Sequence, residues 1–98
     1  MEIWIQKNQK QKGKEMNIDF KKLVKNELTR VRAKNGPQNS VHEGYAIMLE
    51  EVDEVWDEVK KKSVLRDHKA MLAELVQVAS CCQKMAEDVV IPKISKKS

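Results

Sequence analysis

The sequence predicts an all-α protein, a three-helix unit packing as a helical bundle and completed by dimerisation. Three observations carry that expectation. Three stretches repeat apolar residues at i, i+3, i+4 and i+7, the period of a helix buried along one face. Glycine, proline and aromatic residues are sparse, at 3, 2 and 4%, which disfavours a β-sandwich or barrel. The 98 residues support one thin core, so a second copy is expected to complete it.

Residues 1–16 are polar, lysine- and glutamine-rich and aperiodic, and read as a flexible tail. The codons of Lys12-Gly13-Lys14-Glu15 can be purine-rich, like a bacterial ribosome-binding sequence, directly before Met16. Translation is therefore expected to start at Met16, leaving the preceding segment non-native. The helical domain is placed at 17–92, and 93–98 is a basic C-terminal tail. The first helix should run from Phe20 to Lys34, capped by Asp19 or Asn17. Phe20, Leu23, Val24, Leu28 and Val31 share one face; Lys21, Lys22, Lys25, Arg30, Arg32 and Lys34 make the other basic. Asn35-Gly36-Pro37 stops it.

The second helix should begin at Ser40, where Ser40-Val41-His42-Glu43 has the form of a capping box, and run to Lys61. Its apolar stripe is Tyr45, Met48, Leu49, Val52, Val55, Trp56 and Val59. Ser63 to Arg66 connects it to a third helix, Asp67 to Val89, with Met71, Leu72, Leu75, Ala79, Cys82, Ala86 and Val89 as its core stripe. Pro92 should end the regular structure.

Between Ser40 and Glu58 the chain holds seven carboxylates and no lysine or arginine, in a protein of net charge +4. Glu51, Glu54 and Glu58 line one flank of the helix, with Glu51 nearest the apolar edge, while Glu50 and Asp57 point away from it. Carboxylates so crowded repel unless lysines and arginines from elsewhere, or a divalent metal, sit among them. A solvated acidic face is the commoner meaning of such a run. A metal site needs oxygen donors one helical turn apart, and Glu50, Glu51 and Glu54 supply them. Glu74 is the one acid in the middle of the third helix, among apolar neighbours, where a carboxylate is costly without a partner. It should face the acidic helix.

Other features carry less. The pI near 9.1 is too mild to argue for nucleic acid, and the basic face of the first helix should stay solvated or pair with the acidic helix. No apolar run approaches the roughly 20 residues of a membrane span, and residues 1–16 have no apolar core of signal-peptide length, so a cytoplasmic protein is expected. Cys81 and Cys82 are adjacent in a helix, diverge, and should be small buried thiols without a bridge. His42 reads as an exposed polar residue, and Trp56 and Tyr45 as packing residues.

His42-Glu43-Gly44-Tyr45-Ala46, then Leu49-Glu50-Glu51-Val52-Asp53-Glu54, then Glu74-Leu75-Val76-Gln77-Val78-Ala79 resemble the MazG-like branch of the all-α nucleoside triphosphate pyrophosphohydrolases, especially its small phage and prophage members. The resemblance covers residues 20–90. That family carries EExxE on one helix and ExxD on the next. The resemblance implies Mg²⁺, with Mn²⁺ as a substitute, a nucleoside triphosphate substrate, and cleavage to a nucleoside monophosphate and pyrophosphate. It implies Glu50, Glu51, Glu54, Glu74 and Gln77 as metal ligands, Glu51 and Glu54 as the catalytic carboxylates, and a homodimer or homotetramer. The chain departs from the family at Gln77, where the family has aspartate, and lacks the lysine- and asparagine-bearing segment of longer members. Glutamine brings a carbonyl oxygen but no charge and no base. The rival reading is a catalytically degenerate binding or structural protein of the same fold. A small regulator binding nucleic acid through the first helix is a third.

Overall fold

Asp19 opens α1 (Phe20–Asn35), accepting the Lys22 N–H at 3.3 Å. Gly36 closes it at φ 71°, a left-handed conformation that suits a residue without Cβ. Ser40 opens α2 (Val41–Val59), its hydroxyl accepting the Glu43 N–H at 3.1 Å. The return half of the capping box is displaced by one residue: Glu43 accepts the Asn39 N–H at 3.1 Å and the Gln38 amide at 2.9 Å. A short 3-10 turn (Ser63–Leu65) leads to α3 (His68–Met85), capped by Asp67. Glu58 ties this connection together, accepting the Asp67 N–H at 2.8 Å and the Lys61 ammonium at 2.9 Å.

This computed structural model describes residues 17–95, all helix, turn and connection, with no strand among them. The expected N-terminal tail, the expected start at Met16 and the last residues of the basic tail lie outside the described residues.

The helix does not stop at Pro92. A π-helical turn (Ala86–Val90) carries α3 into α4 (Ile91–Ser95), so the first residues of the expected tail are helical. Here the Ile91 N–H reaches the Ala86 carbonyl, five residues back. Proline lacks an N–H, and its ring collides with the carbonyl four residues earlier in a regular helix. A widened turn directly before Pro92 accommodates both problems.

Helix α3 is central and packs against both α2 and α1. Val76, fully buried, meets Leu23 and Val24 of α1, with Leu72 and Ala79 beside them. Leu28, Ala73 and Val89 complete the buried apolar set. The apolar face of α1 is largely as expected, although Phe20 is exposed. The stripe of α3 is rotated from expectation. Its buried line is Ala73, Val76, Ser80 and Lys84, while Leu75 and Cys82 are exposed. A helix held between two others is buried on its middle line, not along its most apolar edge.

The larger correction concerns α2. Its buried and half-buried residues are Gly44, Met48, Glu51, Val55 and Glu58, one continuous helical line against α3. Tyr45, Leu49, Val52, Trp56 and Val59, expected as core, form the neighbouring line and face outward; Tyr45 is 58% and Trp56 56% exposed. Gly44 permits a close approach, since a Cβ there would lie 3.0 Å from the Met85 sulfur.

Candidate metal centre and adjoining cavity

The packing of α2 on α3 decides where the acids go. Because Glu51 lies on the contact line, its carboxylate and that of Glu54, one turn on, are carried to Glu74 of α3. One carboxylate oxygen from each of the three lies within 4.8 Å of the others. Glu51 and Glu74 are half-buried and Glu54 is exposed. The Glu74 Oε1 atom is buried and accepts no hydrogen bond.

The electrostatics follow from this crowding. Burial, then hydrogen bonding and charge from Glu54 and Glu51, push the Glu74 carboxyl up to about 8. Glu51 is raised too, first by burial and then by the charges of Glu54 and Glu50, against a lowering hydrogen bond with Glu74. One proton shared within this group relieves the repulsion when no cation is bound. Among the described residues, the ion pairs of lysine and arginine go to Glu27, Asp57, Glu58, Glu87 and Asp88, and none reaches Glu51, Glu54 or Glu74.

Two residues of the expected ligand set stand apart. Glu50 is exposed and outside the group of three, acting on it through its charge. Gln77, one turn after Glu74, donates its amide to Glu27 of α1 at 2.6 Å.

Glu27 is the residue the sequence reading missed. It is 3% exposed and receives Arg30 at 2.6 and 3.1 Å as well as Gln77. Burial raises its pKa, but the Arg30 and Gln77 hydrogen bonds and the Arg30 charge outweigh that and lower it. A signal was present: Glu27 is the one acid of α1 and falls on the line of Leu23, Val24 and Leu28.

The α1 cations do not pair with the α2 acids. Arg32 instead bonds Asp88 at 2.6 Å and Glu87 at 2.9 Å, in the π-helical turn. Asp88 also accepts the Gln38 N–H at 2.8 Å, so this turn clamps the connection between α1 and α2. A cavity of about 550 Å³ lies between the three long helices, and Glu51 and Gln77 line it beside Arg30 and Lys84. That volume is within the range of small-ligand sites. His42 is exposed. Cys81 and Cys82 are unbridged; Cys81 is half-buried with its thiol pushed up to about 11 by burial first, and Cys82 is exposed.

The arrangement is therefore that of a three-helix protein with a cation-poor carboxylate cluster opening onto a cleft. No described helix is long and apolar enough to cross a membrane. No protein-family model, curated protein or solved structure matches the chain.

Proposed function

We propose that this protein is a Mg²⁺-dependent nucleoside triphosphate pyrophosphohydrolase, converting a nucleoside triphosphate and water to a nucleoside monophosphate and pyrophosphate. The observation that carries this reading is the convergence of Glu51, Glu54 and Glu74 with no lysine or arginine paired to any of them. Three hard oxygen donors, one of them with a buried oxygen that lacks a hydrogen bond, fit a hard divalent cation. Glu51, Glu54 and Glu74 would hold Mg²⁺, or Mn²⁺ in its place. Bound there, the ion supplies neutralisation of phosphate charge and a lowered pKa for a bound water. Glu51 belongs to both the cluster and the cavity wall, which suits it to orient water toward a substrate phosphorus and accept its proton. Glu54, being exposed, would pass that proton to solvent.

The exposed line from Tyr45 to Val59 supports association of two copies through α2. The Glu27–Gln77 hydrogen bond favours the rival reading, in which the fold is kept and catalysis lost, because it engages the residue standing where the family has aspartate. Pyrophosphate release decides between them. A panel of nucleoside triphosphates is incubated with Mg²⁺, with Mn²⁺ and with EDTA. Metal-dependent release that Glu51→Gln abolishes is the expected result. Absence of release from folded protein across the panel, with both metals, overturns the enzymatic reading.

A further inference from the structure

Lys84 is a lysine on the buried line of α3, 7% exposed, with its side chain in the wall of the cavity. Its stem is buried while its ammonium faces the cavity. Among the described residues its one ion-pair partner is Asp88, at 3.8 Å, beyond hydrogen-bond length. The Asp88 carboxylate is already engaged at closer range, by Arg32 at 2.6 Å on one oxygen and by the Gln38 N–H at 2.8 Å on the other. No hydrogen bond among the described residues reaches the Lys84 ammonium, which has three donors to give. Arg30 lines the same cavity. Two of its nitrogens bind Glu27, and the remaining N–H groups of the guanidinium are left to donate. Glu51 and Glu43 sit in the same wall, so the cations share the cavity with one carboxylate of the cluster and with the Glu43 carboxylate.

We propose that this cavity is a phosphate site in which Lys84 and Arg30 bind the two terminal phosphates of a nucleotide beside Glu51. It rests on the pyrophosphohydrolase reading for the nucleotide, but the anion site itself does not need the metal. Lysine acts as a point charge with rotatable donors, and arginine offers a planar fork, a combination suited to a diphosphate. Asp88 is a positioning residue: it holds Lys84 at the cavity wall without consuming its hydrogen bonds. The neighbouring amides of Asn35, Gln38 and Asn39 line the same cavity and leave room for neutral recognition of the rest of the ligand.

The test is calorimetric titration of the full chain with inorganic pyrophosphate, first in EDTA and then with Mg²⁺. Binding in EDTA is expected, with Lys84→Met weakening it about tenfold to a hundredfold and Lys84→Arg retaining most of it. In the wild-type protein, amide chemical shifts perturbed by pyrophosphate should centre on Arg30 and Lys84, a readout that needs no variant to fold. Shifts confined elsewhere, or equal affinity in Lys84→Met and wild type, overturn the proposal. Mn²⁺ binding followed by electron paramagnetic resonance keeps the two readings apart. If Mn²⁺ binds through Glu51, Glu54 and Glu74 while pyrophosphate ignores Lys84, this inference fails and the metal reading stands. If pyrophosphate binds through Lys84 while Mn²⁺ does not bind, the anion site stands and the enzymatic reading falls.

Discussion

Glu74→Gln reads the proposed metal centre through a proton. With its pKa raised to about 8, the Glu74 carboxyl is mostly protonated at neutral pH in the metal-free protein. A cation ligand must be deprotonated, so Mg²⁺ binding should expel that proton. Release should approach one proton per site near neutral pH and decline as pH rises past about 8. Apparent affinity should rise about tenfold per pH unit below pH 7 and level off above about 8. Titration calorimetry in two buffers of different ionisation enthalpy measures the release directly. Glu74→Gln keeps the size of the side chain and removes the most strongly shifted group, so release should fall to what Glu51 contributes, and affinity should fall. Mg²⁺ binding to wild-type protein without proton release, or the same release from Glu74→Gln, would refute the reasoning.

The same group sets the alkaline limb of stability. Folding raises the Glu74 pKa from 4.5 to about 8, so between those values the folded state holds more protons than the unfolded state. The contribution of Glu74 to metal-free stability is therefore full below the lower value and is lost as pH rises toward about 8. Glu27 and Asp88, whose pKa values folding lowers, work in the opposite sense. Their contribution is present above their unfolded values and is lost as pH falls through the folded ones. Thermal melts without metal should peak in mildly acidic buffer, and Mg²⁺ should move that peak upward. A midpoint that does not fall from pH 6 to 8 relative to Glu74→Gln would contradict this.

Three further outcomes are expected. Gln77→Asp sets a second carboxylate against Glu27, now 2.6 Å from the Gln77 amide, and should destabilise the metal-free fold by about 1–3 kcal/mol in denaturant titration; adding Glu27→Gln should restore most of it. Gly44→Leu forces side-chain volume into the contact with Met85 and should lower stability by about 1–3 kcal/mol in the same assay, with loss of cavity ligand binding if α2 shifts. Trp56→Lys should shift sedimentation of the chain toward the monomer while leaving its helical circular dichroism unchanged; unchanged sedimentation would place any association elsewhere.

Much of the fold was legible because its signals are local. Asp19, Ser40 and Asp67 stand where helices begin, and Gly36 where one ends, since caps answer to a few neighbouring backbone groups. The meeting of Glu74 with the acidic helix was legible for a different reason. A lone acid among apolar neighbours has few affordable partners, and the helical wheel put Glu51 at the apolar edge. Glu27 and Lys84 were harder to read because each lies on a buried line yet looks like surface composition. Their burial depends on elements distant in sequence: Gln77 of α3 for Glu27, and the α1 and α2 walls of the cavity for Lys84.

The rotation of α2 shows which force settled the arrangement. The helix carries two adjacent lines, and the more apolar one, Tyr45 to Val59, would bury more hydrocarbon against α3. The chain instead packs the line of Gly44, Met48, Glu51, Val55 and Glu58. That choice places Glu51 against Glu74 with no cation paired to either, and raises both pKa values. It also leaves an apolar line facing outward. Hydrophobic burial within one chain explains neither feature, and each local conflict falls where a site is proposed, as expected when function opposes stability. A cation among the carboxylates would relieve the first conflict and a second copy on α2 the second. The two are separable by experiment: Mg²⁺ should raise the melting midpoint of a Trp56→Lys monomer, whereas Glu74→Gln should leave self-association intact.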